Sequence, residues 1–142
     1  MVKPDPRVIL KEHNIPITIQ RVKILEYLIR TNEHPTADQI YSEISDEAIL
    51  SFATIYNTLH LFTKAGIVNE LHIDKDKTHY DIVRKPHDHF LCRECQKIYD
   101  IYDLPIQPLT NDTIDGHTIE RVHIYFYGIC RECLNKLKKK EK

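Results

Sequence analysis

The sequence contains four cysteines, and all of them lie in two identical Cys-Arg-Glu-Cys motifs. A Cys-x-x-Cys turn is tight enough to offer two thiolates to one metal ion, and two such turns complete a closed tetrahedral zinc site. Redox catalysis is the alternative, but neither motif follows a strand of a βαβ unit or has the flanking residues of a thioredoxin-like site. Since a closed site leaves no position for a substrate, we expect a structural zinc ion with four ligands: Cys92, Cys95, Cys130 and Cys133.

A second group of candidate metal ligands is centred on His87-Asp88-His89. Alternation along a strand would turn both imidazoles to the same face, where one metal ion could bind them. Two histidines alone are weak evidence, and the further candidates His34, Asp81 and Asp100 lie on other segments, so the site would be assembled across two domains. Each of these residues, taken singly, is also consistent with an exposed polar side chain. We interpret four other histidines in that way: His13, His60, His72 and His79.

The elements that would position these ligands begin with a helical half. Apolar residues recur there at three- and four-residue intervals, which predicts four helices: 6–13, 19–31, 36–44 and 51–65. Thr36 has the residue type of an N-cap, and Gly66 fits the left-handed position that closes a helix. Two alternating segments, 67–73 and 78–83, flank a charged turn and predict a hairpin. Helices followed by a two-stranded wing are typical of the winged helix-turn-helix, whose last helix enters the major groove of DNA.

A second domain follows this helical half. Pro86 cannot continue a strand ladder, so we predict a hinge at 84–86 between a domain of residues 1–84 and a domain of residues 85–142. The second domain has three strand candidates and a short closing helix: strands 88–92, 97–102 and 117–128, and helix 131–138. The expected fold class is α+β, with a winged helix-turn-helix followed by an α/β domain that contains the four-cysteine zinc site.

Composition limits the class of protein. A chain of 142 residues with 42% apolar and 29% charged residues is typical of a folded globular protein. No apolar run is long enough to cross a bilayer, and the first residues lack a secretory signal, so we expect a cytoplasmic protein. That reducing compartment favours a metal over disulfides. The net charge of −1 gives no general attraction to DNA, so phosphate contacts would need a local basic patch, for which residues 1–30 are the candidate.

Five separate motifs together resemble the ferric uptake regulator (Fur) family, in order and spacing over nearly the whole chain. They are His34-Pro35-Thr36-Ala37-Asp38, Ala53-Thr54-Ile55-Tyr56-Asn57-Thr58-Leu59, Gly66-Ile67-Val68, His87-Asp88-His89-Phe90-Leu91-Cys92-Arg93-Glu94-Cys95 and Tyr127-Gly128-Ile129-Cys130-Arg131-Glu132-Cys133. The resemblance implies a homodimer made of a winged helix and an α/β dimerisation domain. It also implies that the dimer binds palindromic AT-rich operators when its regulatory metal is present.

The same resemblance implies which residues contact DNA. Tyr56 matches the family's base-contacting tyrosine, which packs against thymine methyl groups in the major groove. Asn57 departs from the arginine of iron-uptake regulators and is similar to the peroxide-sensing, PerR-type branch. Thr54 and Arg21 are the remaining predicted DNA contacts. Without the resemblance, Tyr56 would be interpreted as a helix-surface or core aromatic residue.

Carried over position by position, the regulatory metal would have five ligands: His34, Asp81, His87, His89 and Asp100. Three imidazoles and two carboxylates suit ferrous or manganous ion and leave one coordination place for a small molecule. The family's peroxide sensors carry Asp where Asp100 stands, whereas its iron-uptake regulators usually carry Glu. A third metal site of the family is expected to be lost or weakened, because Pro86 and Gln107 replace its usual ligands and leave Asp88 and His123 as remnants.

These observations predict a metal-dependent transcriptional repressor that is not an enzyme and that senses peroxide through iron-catalysed histidine oxidation. Iron-uptake or zinc-uptake regulation within the same family is the alternative. A hydrolytic metalloenzyme would lack a recognisable general base such as the glutamate of His-Glu-x-x-His, and would leave the winged-helix pattern unexplained. A zinc-ribbon interaction module would differ in showing salt-dependent, sequence-independent DNA binding.

Overall fold

The structure is a computed structural model of the chain, and it describes residues 4–83, 87–102, 104, 112–120 and 122–140. It divides into two compact units, Met1–Arg84 and Lys85–Lys142. The predicted hinge at 84–86 and the predicted remnant position Gln107 lie outside the described residues. No helix within the described ranges is long and apolar enough to cross a lipid bilayer.

The first unit contains four helices, each of which begins at a side-chain cap. They are α1 (Pro6–Glu12), α2 (Ile19–Arg30), α3 (Ala37–Ala48) and α4 (Phe52–Lys64). At α3 the predicted N-cap Thr36 forms a capping box with Gln39, in which each side chain accepts from the other residue's backbone N–H. The predicted end of this helix at Ile44 is wrong. Polar residues carry the helix on to Ala48, and the left-handed Ile49 (φ +49°) then returns the chain to the core at Leu50.

The core of this unit is formed by the apolar faces of α2, α3 and α4. Residues at helical spacing on these faces are fully buried: Ile24, Leu25, Ile40, Ile44, Ile55, Leu59 and Phe62. Their burial removes most of the apolar area of three amphipathic helices from water, which is the main favourable term in folding. The opposite face of α4 is consequently left for solvent or for a partner.

A two-stranded antiparallel hairpin follows α4 and completes the first unit. Gly66 has a φ of +80° and closes the helix, as its residue type predicts. The strands β1 (Val68–Leu71) and β2 (His79–Ile82) pair with Val68 opposite Ile82. The segment before α3 joins this hairpin, since Thr36 bridges His79 and the backbone N–H of Tyr80 donates to the Pro35 carbonyl at 2.8 Å. The chain around His34 is therefore held against the wing.

The second unit is built on a three-stranded sheet with a small hairpin and a C-terminal helix. The strands are β3 (Asp88–Cys92), β4 (Ile98–Ile101), β5 (Thr113–Ile114), β6 (His117–Thr118) and β7 (Tyr125–Gly128), and the helix is α5 (Arg131–Lys140). The sheet order is β4-β3-β7, with β3 antiparallel to β4 and parallel to β7. Cys92 ends the central strand, so the sheet carries the first cysteine motif directly.

The predicted single strand 117–128 is wrong, because this segment forms two short strands in different sheets. β6 pairs with β5 across a turn at Gly116, whereas β7 pairs with β3 only from Tyr125 opposite His89 to Gly128 opposite Cys92. The described residues between β6 and β7 belong to no strand. Alternating residues predict an extended backbone but not the partner strand, and the partner determines where a strand begins.

Candidate metal centres and DNA interface

Four thiols meet where the second unit's sheet and helix join. β3 ends at Cys92, the following turn carries Cys95, and α5 begins beside Cys130 and contains Cys133. The four sulfur atoms all lie within 4.8 Å of one another, and Cys95 Sγ is 3.8 Å from Cys130 Sγ. Four sulfurs around a zinc ion at the usual Zn–S length of about 2.3 Å would stand about 3.8 Å apart. The cluster therefore has the size and donor type of a tetrahedral zinc site.

Backbone hydrogen bonds hold this cluster in place. The N–H of Cys92 donates to the Lys97 carbonyl at 3.0 Å, and the N–H of Gln96 donates to the Cys92 carbonyl at 2.9 Å. Gln96 occupies the left-handed region (φ +65°), which lets the turn close on itself. Further N–H groups point at sulfur, from Cys130 to Cys92 Sγ at 3.3 Å and from Cys133 to Cys130 Sγ at 3.5 Å. Such donors stabilise thiolates.

Hydrogen bonds and burial shift the pKa values of the cysteines in this cluster in opposite directions. Burial by itself raises the pKa of the Cys92 thiol, but hydrogen bonds from the backbone N–H groups of Cys95, Cys130 and Glu94 outweigh it and bring the value to about 6. The pKa of Cys133 rises to about 12, chiefly through its hydrogen bond with Cys130 and then through burial. Zinc is bound by thiolates, so zinc binding would release any protons that the cluster still holds.

A second group of donors lies on the neighbouring strands of the same unit. The Nε2 atoms of His87 and His89 lie 3.2 Å and 3.4 Å from the same atom, Oδ1 of Asp100, and the two imidazole centroids are 4.7 Å apart. His89 pairs directly with Asp100 in the β3–β4 ladder. The two imidazoles are almost fully buried, whereas the Asp100 side chain is 30% exposed. Two nitrogens and a carboxylate oxygen form a donor set that suits ferrous or manganous ion.

The first unit carries the other two predicted ligands. His34 is buried in the segment between α2 and α3, and Asp81 lies on β2 opposite Asn69. The antiparallel register set by the Thr36–His79 bridge, extended by two residues, brings His34 opposite Asp81. Both candidates of this unit therefore lie at the same edge of the wing.

His79 is a residue whose importance the sequence did not reveal. Its Nδ1 lies 2.6 Å from the His34 carbonyl oxygen and its Nε2 lies 3.2 Å from Oδ2 of Asp74, with only 12% of the side chain exposed. The interpretation of His79 as an exposed polar residue is therefore wrong, whereas His13, His60 and His72 are exposed. Alternation places His79 on one face of a strand, but the His34 carbonyl lies 45 residues away and leaves no local signal in the sequence.

We expect replacement of His79 with Ala to loosen the wing edge around His34. The His34 carbonyl and Asp74 would lose their shared partner, which costs about 1–3 kcal/mol for groups shielded from water. Hydrogen exchange of the β2 amides would check this, and protection of the Tyr80 amide should fall by about 5- to 150-fold. His72→Ala is the matched control, because the His72 side chain is 65% exposed and its ion pair with Glu70 is long at 3.6 Å. Equal protection in both variants would contradict the role of His79.

The candidate DNA contacts lie in the first unit. One face of α4 is exposed and carries residues at helical spacing: Phe52, Ala53, Tyr56, Asn57 and His60. Tyr56 is 55% exposed, so it is not a core aromatic residue. Thr54 is only partly exposed, and its Oγ1 lies 2.8 Å from Ser51 Oγ at the helix cap. Arg21 lies in α2, where its guanidinium donates to the Pro16 carbonyl at 2.7 Å. Among the predicted DNA contacts, Tyr56 and Asn57 thus have the strongest structural support. His60 lies on the same exposed face of α4.

The remnants of the third metal site do not form a site among the described residues. Neither Asp88 nor His123 belongs to a cluster of three or more metal-ligand side chains there. His123 is exposed, and its ring stacks against Tyr125 at a centroid distance of 6.0 Å.

The helical unit with its two-stranded wing is a winged helix, and the second unit carries donor sets that fit a zinc ion and a second, harder metal ion. These features define a class of metal-dependent DNA-binding regulators.

Comparison with known proteins gives the family. The model of the ferric uptake regulator family matches residues 12–127. The peroxide operon regulator of Bacillus subtilis (strain 168) is 35% identical over 130 residues, covering 89% of this chain and 90% of that protein. The peroxide-responsive repressor PerR of Staphylococcus aureus (strain Mu50 / ATCC 700699) is 38% identical over 136 residues, covering 89% and 88%. The ferric uptake regulator of Francisella tularensis with iron is a structural match with a TM-score of 0.69 and 26% identity, covering 84% of this chain and 95% of that one.

The chain belongs to the ferric uptake regulator family. It is a metal-dependent, DNA-binding transcriptional repressor, which confirms the resemblance drawn from its five motifs. Its fold class is α+β, as predicted.

Proposed function

We propose that this repressor senses peroxide and that its regulatory metal is bound by His34, Asp81, His87, His89 and Asp100. The observation that carries the proposal is the convergence of the His87 and His89 imidazoles on one oxygen of Asp100. The relatives that are 35% and 38% identical over most of the chain are named as peroxide regulators, which favours the same signal here.

In this proposal residues 1–84 read DNA and residues 85–142 form the dimerisation and metal-binding domain. A ligand shifts a conformational equilibrium only by its differential affinity for the two states. A metal ion held by ligands from both domains would favour the arrangement in which the two recognition helices of a homodimer meet successive major grooves, about 34 Å apart. A coupling of roughly 1–3 kcal/mol would change operator affinity about 5- to 150-fold.

The operator contacts would be made by α4. Its exposed face presents the Tyr56 ring and the Asn57 amide beside each other, and both suit base edges in the major groove. Tyr56 would pack against thymine methyl groups of an AT-rich palindrome. Thr54, near the start of α4, and Arg21, near the start of α2, would supply the remaining DNA contacts.

Peroxide would end repression by chemical loss of one ligand. A bound ferrous ion would supply the one-electron chemistry that cleaves the O–O bond of peroxide. Overall, one oxygen atom of peroxide would replace the hydrogen on a ring carbon of His34 or His87 and the other would leave as water. The imidazole would thus give up the two electrons that peroxide accepts, with no net change in the iron. Each protein molecule would be consumed once as a signal, so this chemistry is not enzymatic turnover. A simple regulator of iron or zinc uptake would share the ligands but would not undergo this oxidation.

Exposure of the iron-loaded and the manganese-loaded protein to dilute peroxide tests the proposal. In the iron form, peptide mass spectrometry should find one added oxygen on His34 or His87 as operator binding is lost. The manganese form should show no change in mass and no loss of operator binding. The Asp100→Glu variant should retain metal-dependent repression but oxidise more slowly, because the longer carboxylate changes the open coordination place. If neither histidine gains oxygen at peroxide levels that spare methionine and the zinc cysteines, the protein is an iron-uptake regulator.

A further inference from the structure

We propose that His79 is a positioning residue of the regulatory metal site, which holds the backbone of His34 against the wing before the metal ion binds. The inference rests on the proposed function, because it takes His34 to be a ligand of that metal. Both ring nitrogens of His79 face other partners, so its role is to place a ligand and not to serve as one.

The segment around His34 runs antiparallel to β2, and its pairing lacks one backbone hydrogen bond. Thr36 bridges His79, and the Tyr80 N–H donates to the Pro35 carbonyl at 2.8 Å. A hydrogen-bonded antiparallel pair normally exchanges two such bonds, but Pro35 has no N–H with which to return the second one to Tyr80. The missing bond lies directly beside His34, so the backbone ladder alone holds this end of the segment less firmly.

The His79 side chain supplies a hydrogen bond at this position. Its Nδ1 donates to the His34 carbonyl oxygen, 2.6 Å away, and its Nε2 lies 3.2 Å from Oδ2 of Asp74. Asp74 is itself fixed, because its Oδ1 accepts from the backbone N–H of Asp76 at 3.0 Å. Only 12% of the His79 side chain is exposed. The ring is therefore held between the turn of the hairpin and the His34 backbone.

This hydrogen bond fixes the two ligands that the first unit is proposed to contribute. A ring nitrogen of His34 and a carboxylate oxygen of Asp81 lie within 4.8 Å of each other, which suits two ligands of one metal ion. His79 and Asp81 are two residues apart on β2, so their side chains leave the strand on the same face. If the His34 backbone were free, metal binding would have to order it, and this loss of conformational freedom would lower the metal affinity.

Two substitutions of His79 separate its two contacts and test the inference. The side-chain amide nitrogen of Asn takes the place of Nδ1, whereas that of Gln takes the place of Nε2. His79→Asn therefore keeps a donor for the His34 carbonyl, and His79→Gln loses it. In the full-length, zinc-loaded protein we expect His79→Gln to weaken binding of manganous ion roughly tenfold, the lower end of the usual effect of residues that orient metal ligands. His79→Asn should restore most of the affinity.

Competition with a fluorescent metal chelator measures these affinities. His72→Gln is the matched control, because His72 belongs to the same hairpin with 65% of its side chain exposed, and it should bind manganous ion as the wild type does. His79→Ala removes the same donor as His79→Gln and should show the same loss, so the result does not depend on the folding of a single variant.

A double-mutant cycle with His34→Ala shows whether His79 acts through that ligand. His34→Ala should weaken manganese binding by itself, and His79→Gln should then cause little further loss, because the backbone that it frees no longer carries a ligand. Wild-type affinity in His79→Gln, an equally low affinity in His79→Asn, or losses that add in the double variant would each overturn the inference. Unchanged affinity in His34→Ala would instead overturn the proposed ligand set, and this inference with it.

Discussion

Replacing Cys92 with Ser is expected to remove the zinc, unfold the C-terminal unit and abolish the dimer. Zinc sites of this type contribute about 10–16 kcal/mol of apparent binding energy, which is largely folding energy. The second unit depends strongly on this contribution from zinc. Among the described residues of the unit, the buried apolar ones are Ile98 and the zinc ligands Cys92 and Cys130. So small a core cannot hold three strands and a helix together without an additional constraint.

Zinc content by atomic emission, far-ultraviolet circular dichroism and size-exclusion chromatography would check this result. Arg93→Ala is the matched control, because Arg93 occupies the same turn with its side chain 69% exposed and should leave zinc and dimer intact. A Cys92→Ser variant that remained folded and dimeric without zinc would refute the assignment of a structural site.

Replacing His89 with Ala is expected to uncouple operator binding from metal while leaving the zinc and the dimer intact. His89 lies on β3 with 5% exposure, and its Nε2 is directed at Asp100, so the substitution removes a proposed metal ligand three residues before the first zinc cysteine. At limiting ferrous or manganous ion, operator affinity should fall by about 5- to 150-fold, the full range of the proposed coupling. Fluorescence anisotropy with a labelled operator, titrated with metal, measures it.

Two variants make this experiment decisive. His117→Ala removes an exposed histidine of the same unit and should bind metal and operator as the wild type does. Tyr56→Ala should weaken operator binding at every metal concentration with metal affinity unchanged, because it removes a proposed base contact and no ligand. Wild-type operator affinity in His89→Ala at limiting metal would mean that the histidine and aspartate group is not the switch.

The sequence by itself determined the features that depend on near neighbours. The four helices followed from apolar spacing and from caps such as Thr36, and Gly66 marked the end of α4 because its left-handed backbone favours glycine. The two cysteine motifs identified a zinc site for the same reason, since a spacing of three residues brings two sulfurs together locally, in the turn after β3 and at the start of α5. The five family motifs added the class of repressor and the five ligands proposed for its regulatory metal.

The tertiary structure alone decided the features that depend on distant partners. The segment 117–128 divided into two strands because β5 and β3, not the segment itself, supply the hydrogen bonds. His79 became part of the wing's framework through the His34 carbonyl, 45 residues away. This contact has no periodic or local signature, because a hydrogen bond across a fold requires only that the chain bring one donor and one acceptor together, wherever they lie in the sequence.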